Sequence, residues 1–96
     1  AIIMDPPSYG RGPNGEMWKL EDNLADFVEH TKKVLSEKPL FVLINSYTTG
    51  LQPTVIANIL KSTFGQENVE ADEIGLPTNE GLVLPCGATG VKTWKI

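Results

Sequence analysis

Residues 1–22 read AIIMDPPSYGRGPNGEMWKLED, and this opening decides the fold. Ala1 to Met4 is wholly apolar and runs straight into Asp5-Pro6-Pro7. An all-apolar run before turn residues predicts a strand buried on both faces, as in parallel sheets. From Asp5 to Gly15 the chain is rich in proline and glycine and reads as a loop. Leu20, Leu24, Phe27, Val28, Thr31, Val34 and Leu35 then fall on one face at helical spacing. Acidic Glu21, Asp22 and Asp26 sit early in that helix and Lys32 and Lys33 sit late, the order that suits its dipole. Ser36 to Pro39 closes it.

Leu40 to Ser46 (LFVLINS) repeats the buried-strand pattern, and Tyr47 to Pro53 (YTTGLQP) is a loop. Pro53 suits the first turn of a second helix. Val55, Ile56, Ile59, Leu60 and Phe64 form its apolar stripe, and Gly65 is its stop. Val69 to Ile74 predicts a third strand, Leu76 to Gly81 a reversal, and Leu82 to Cys86 a fourth strand ended by GATG, residues 87–90. The tail from Val91 to Ile96, with Trp94, is expected to finish that strand after a kink. The order strand, helix, strand, helix, strand, strand predicts an α/β fold: two parallel strands with helices, then a carboxy-terminal antiparallel hairpin. In such open sheets ligands bind beyond the carboxyl ends of the strands. Both DPPSYGRG, from Asp5, and NSYTTG, from Asn45, lie at those ends.

The totals narrow the function. Ninety-six residues allow one small domain. The single cysteine, Cys86, forms no internal disulfide, and with a single histidine it leaves no metal-site spacing. No metal is expected. No apolar run reaches membrane-spanning length, so no membrane partner and a cytoplasmic protein are expected. A net charge of −4 argues against a nucleic-acid module that works by charge alone, but not against a catalytic domain whose partner domain grips the nucleic acid.

Two readings of Asp5-Pro6-Pro7 stand side by side. The prolines can simply end a strand. Alternatively, having no N–H of their own, they leave carbonyl oxygens open beside the Asp5 carboxylate. Such rigid acceptors suit a substrate that offers N–H donors, with Tyr9 stacking on a flat ring. Asn45, Ser46 and Tyr47 are candidates for a second substrate contact, or for holding their own loop. Arg11 and Lys19 either meet a phosphate or are solvated. Trp18 is expected to pack the loop onto the sheet, His30 to be exposed, and Cys86 to be a small buried hydrophobe.

An apolar strand ending in Asp-Pro-Pro-x-aromatic resembles motif IV of the class I S-adenosylmethionine-dependent methyltransferases. The longer string DPPSYGRGPNGEMWKLED, with NSYTTGLQP and LPCGATG further on, is similar to a bacterial branch related to the large-subunit ribosomal RNA base methyltransferases. The likeness runs over essentially the whole chain. It implies half of a Rossmann-like sheet, the fourth to seventh of seven strands. Residues 1–96 would be the carboxy-terminal part of the catalytic domain, with the cofactor-binding half upstream and the isolated chain inactive. It also implies S-adenosylmethionine as cofactor, an RNA base as substrate, and self-association through the bare sheet edge at residues 1–4.

On this resemblance Asp5, Pro6 and Pro7 match the catalytic motif, and Asp5 also borders the cofactor. Ser8, Tyr9, Arg11, Asn45, Ser46 and Tyr47 would contact substrate. Tyr9 stands one place later than the aromatic of the amino-methylating members. Carbon-5 methylation of cytosine needs a cysteine nucleophile, and INSYTTG has none, which favours nitrogen or oxygen as the acceptor. Two other classes fit parts of the sequence. AIIMD is like the strand and Asp of a nucleotide-hydrolysing domain, but no Gly-Lys-Ser/Thr loop is present. A non-catalytic α/β interaction module is the other.

Overall fold

Four strands form one mixed sheet in the computed structural model, which describes residues 1–48 and 50–94, without the side chain of Glu21. The strands and helices follow the chain as β1 (Ile2–Met4), β2 (Tyr9–Arg11), β3 (Met17–Lys19), α1 (Leu20–Thr31), β4 (Phe41–Ser46), α2 (Pro53–Phe64), β5 (Val69–Pro77) and β6 (Val83–Thr93). A 3₁₀ turn at Lys32–Val34 follows α1. The sheet order is β1-β4-β6-β5. β1 and β4 are parallel, in register Ile2↔Val42 to Met4↔Ile44. β6 runs antiparallel to both β4 and β5. The crossover through α2 therefore skips one place, and the returning hairpin strand β6 fills it.

The core lies between this sheet and the two helices. Leu20, Leu24 and Val28 of α1, Ile56 and Leu60 of α2, and Met4, Val42, Ile44 and Ala88 of the sheet are all buried. Neither helix has a side-chain N-cap hydrogen bond. A cap is worth about 1 kcal/mol, and a fully buried aliphatic side chain about 1.5–3 kcal/mol, so packing holds these helices in place. α2 starts at Pro53 and stops at Gly65, whose φ of 100° suits glycine. Lys92 is buried among apolar neighbours. Its Nζ donates to the Glu67 carbonyl and lies 5.4 Å from the centroid of the Trp94 ring.

Several sequence expectations need correction. The span after Asp5 contains strand β2, which pairs with β3 as a small antiparallel ribbon. β1 is an edge strand, so Ile3 is 69 % exposed instead of buried. The helix ends at Thr31, and Val34 faces solvent. β6 runs unbroken through residues 87–90, so GATG is strand and not a stop. Of the expected tail, Lys95 and Ile96 lie outside the described residues. The reversal expected over Leu76–Gly81 is shorter, because β5 runs on through Pro77; it is closed by Thr78 N–H to the Leu82 carbonyl at 2.8 Å. No helix among the described residues is long and apolar enough to cross a membrane.

Candidate active site at the carboxyl ends of β1 and β4

Asp5 leaves the end of β1 with an exposed side chain. The loop behind it is tied down at two points. Trp18 Nε1 donates to the Pro7 carbonyl at 2.6 Å, and Leu20 N–H donates to the Ser8 carbonyl at 3.0 Å. The Trp18 ring in turn meets Phe27 of α1 edge to face, with centroids 5.6 Å apart. Pro7 is therefore not the open acceptor expected from its missing neighbours, because its oxygen is committed to Trp18. The Asp5 carboxylate accepts no hydrogen bond among the described residues. Trp18 does pack the loop down, but against Phe27 of α1 and not onto the sheet as expected.

This clamp is testable. Trp18→Phe keeps a ring against Phe27 but removes the donor to Pro7. A loss of about 1 kcal/mol is expected, the net worth of one hydrogen bond, read as a lower urea midpoint. An unchanged midpoint would show that the bond does not hold the loop.

The β2–β3 ribbon carries the rest of the motif outward. Tyr9 pairs with Lys19, Gly10 with Trp18, and Arg11 with Met17. Side chains alternate between the faces of a strand, so Tyr9, Arg11, Met17 and Lys19 share the outer face while Trp18 points inward. All four outer residues are exposed. Arg11 Nε donates to the Tyr9 hydroxyl at 3.1 Å, which holds the guanidinium beside the ring. Gly12 N–H to the Glu16 carbonyl at 2.7 Å closes the ribbon's end.

The second loop meets the first. Thr48 Oγ1 and Ser8 Oγ are hydrogen-bonded at 2.6 Å, which joins the segments after β1 and β4. Ser46 is 1 % exposed, and its Oγ accepts from Thr48 N–H at 3.3 Å. It thus holds its own loop, the second of the two roles expected for it. Asn45 is half-buried and Tyr47 is 52 % exposed. The structure therefore brings Asp5, Pro6, Pro7 and Ser8 together with Thr48, and places Tyr9 and Arg11 on the adjoining ribbon.

Sequence reasoning missed Thr48, because no local signal shows which hydroxyl of NSYTTG bridges to Ser8. It also misplaced Cys86, which is half-exposed rather than buried and lines a cleft beside this loop. His30 is exposed, as predicted. Among the described residues no group of His, Cys, Asp or Glu side chains is arranged to hold a metal ion.

No protein-family model matches the chain, and no curated protein matches it. Solved structures do. The S-adenosylmethionine-dependent methyltransferase from Agrobacterium tumefaciens superposes with a TM-score of 0.82 at 25 % identity, over 98 % of this chain and 33 % of that one. SMU.776, assigned as a methyltransferase and complexed with SAH, superposes with a TM-score of 0.65 at 17 % identity, over 96 % of this chain and 26 % of that one. The chain thus spans about a third of the first structure and a quarter of the second. The fold of this chain, a parallel strand pair followed by an antiparallel hairpin, matches part of a Rossmann-like methyltransferase fold.

Proposed function

We propose that this chain is the acceptor-side part of an S-adenosylmethionine-dependent methyltransferase that modifies a nitrogen of an RNA base. The observation that carries the reading is the Asp5 carboxylate. It stands open at the carboxyl end of β1, on a loop fixed by Trp18 and Ser8. The fold shared with two methyltransferase structures gives that position its meaning. The sulfonium cofactor supplies the methyl group as an electrophile when bound. An open carboxylate is compatible with a cationic cofactor, and Asp5 is the residue of this chain that would border it. The residues that would hold the rest of the cofactor lie outside 1–96.

The chain's own part is orientation. Asp5 accepts an N–H of the target amine, which points the amine's lone pair along the line of transfer, and takes up the proton that the nitrogen sheds once it carries the methyl group. Pro6 and Pro7 keep that carboxylate in place, because their φ angles are fixed. Methyl transfer gains mainly from positioning, so a strong base is not required. RNA is favoured by the ribbon face, where Tyr9 offers a ring for stacking and Arg11 and Lys19 offer cations for phosphates. In the same reading the outer edge of β1, with Ile3 exposed, is where further strands of the domain pair. Left bare, that edge favours self-association.

The test uses the intact protein, methyl-labelled S-adenosylmethionine, and RNA, DNA and protein fractions from one cell extract. Label is expected in the RNA fraction, on a base nitrogen after digestion to nucleosides. Label in protein, or in no fraction, would sink the reading.

A further inference from the structure

A cleft of about 290 Å³ opens between the Tyr47–Pro53 loop and the start of the hairpin. Its β6 wall lies two strand spacings, about 10 Å, from β1, and its Tyr47–Thr48 wall adjoins the loop that Thr48 ties to Ser8. Tyr47, Gln52, Glu73, Cys86 and Gly87 line it. Its shape comes from specific local devices. The β5–β6 register steps from Ile74↔Gly87 to Gly75↔Pro85, which leaves Cys86 as an extra, bulged residue. A bulge re-aims side chains, and bulges recur beside active sites. A Cβ on Gly87 would strike the Ser46 carbonyl and come within 2.9 Å of the Tyr47 ring. The ring therefore lies against bare backbone, and Tyr47 remains 52 % exposed.

The lining chemistry is selective. Among the described residues no lysine or arginine borders the cleft, so these residues offer no counter-charge to a phosphate or carboxylate. Glu73 is exposed; its backbone N–H donates to Asp72 Oδ1 at 2.8 Å, and its carboxylate accepts no hydrogen bond among the described residues. Its carboxylate is an open acceptor in the same lining as the Tyr47 ring. A volume near the lower end of small-ligand sites, about 300 Å³, suits a flat ring and not a whole nucleotide.

We propose that this cleft seats an unpaired nucleobase flanking the methylated one. The flanking base stacks on Tyr47 and donates an exocyclic amine N–H to Glu73. Ring stacking and a carboxylate that accepts from a base amine are the means by which single-stranded RNA is read. The proposal rests on the RNA reading above and extends it to sequence preference at a neighbouring position.

Cys86 gives a readout that needs neither methyl transfer nor cofactor. The rate of its alkylation by iodoacetamide in the intact protein is measured by mass spectrometry of the Cys86 peptide. Cytidine at millimolar concentration is expected to slow that rate at least threefold, while ribose and inorganic phosphate leave it unchanged. Tyr47→Ala and Glu73→Leu each alter an exposed side chain and are expected to abolish the protection. An unchanged rate with cytidine overturns the proposal, as does equal protection by phosphate or protection that survives in both variants. Protection by micromolar S-adenosylmethionine overturns it too, because the cleft would then hold the cofactor's own base. A protein that methylates no RNA but protects Cys86 with cytidine would refute the activity and leave the base site standing.

Discussion

Asp5→Ala is expected to lower methyl transfer by the intact protein about 100-fold, the loss that follows when a reacting group is misplaced by roughly 1 Å. The fold should not notice the change. The Asp5 side chain is exposed and accepts no hydrogen bond among the described residues, and substitutions at such positions stay within about 0.5 kcal/mol. Rate and stability therefore separate at this residue. Asp5→Asn sharpens the test, because it keeps one acceptor oxygen and discards the charge. If Asp5 acts by accepting an N–H, the Asn variant recovers much of the lost rate. If the negative charge itself is needed, Asn falls as far as Ala. An Ala variant at the wild-type rate would return Asp5-Pro6-Pro7 to a plain strand exit.

Much of this architecture was legible because several signals agreed. AIIM and LFVLINS are apolar runs of strand length, and they form the parallel pair. α2 carries its own punctuation, Pro53 at the start and Gly65 at the stop. The candidate site followed from topology, since both strand-end loops had to lie together. Thr48 and Ser8 do meet there.

What was not legible depends on partners distant in sequence. The β2–β3 ribbon hides among glycines and prolines, and its anchors are Trp18 on Pro7 and Leu20 on Ser8. Pro7's oxygen could be called free only until Trp18 was seen beneath it. Cys86 could not be placed because the bulge breaks the period-two alternation on which strand reading rests.

Gly90→Val is expected to destabilise the protein by at least about 1–3 kcal/mol, the range for overpacking a filled core. Glycine lowers strand propensity, so GATG reads as the end of a strand. In the structure Gly90 is buried within β6, opposite Ile44. A Cβ built there would strike Ile56 Cγ2 and come within 3.1 Å of Leu60 Cδ1. Both side chains are fully buried and have no solvent to move into, so the helix itself must shift. The missing side chain is what lets α2 lie close on the hairpin strand. Gly10→Ala is the contrast, because nothing lies within 4 Å of a Cβ there, and a change within about 0.5 kcal/mol is expected. The cause can be isolated with a second substitution. Ile56→Ala alone should cost about 2–5 kcal/mol through the cavity it leaves. Paired with Gly90→Ala it should cost less than the sum, by about 0.5 kcal/mol or more, since the new methyl group enters the space Ile56 vacates. Urea midpoints of the four proteins measure that coupling. Strict additivity, or a Gly90→Val protein as stable as the wild type, would mean that β6 does not pass beneath α2 and that the chain turns at GATG after all.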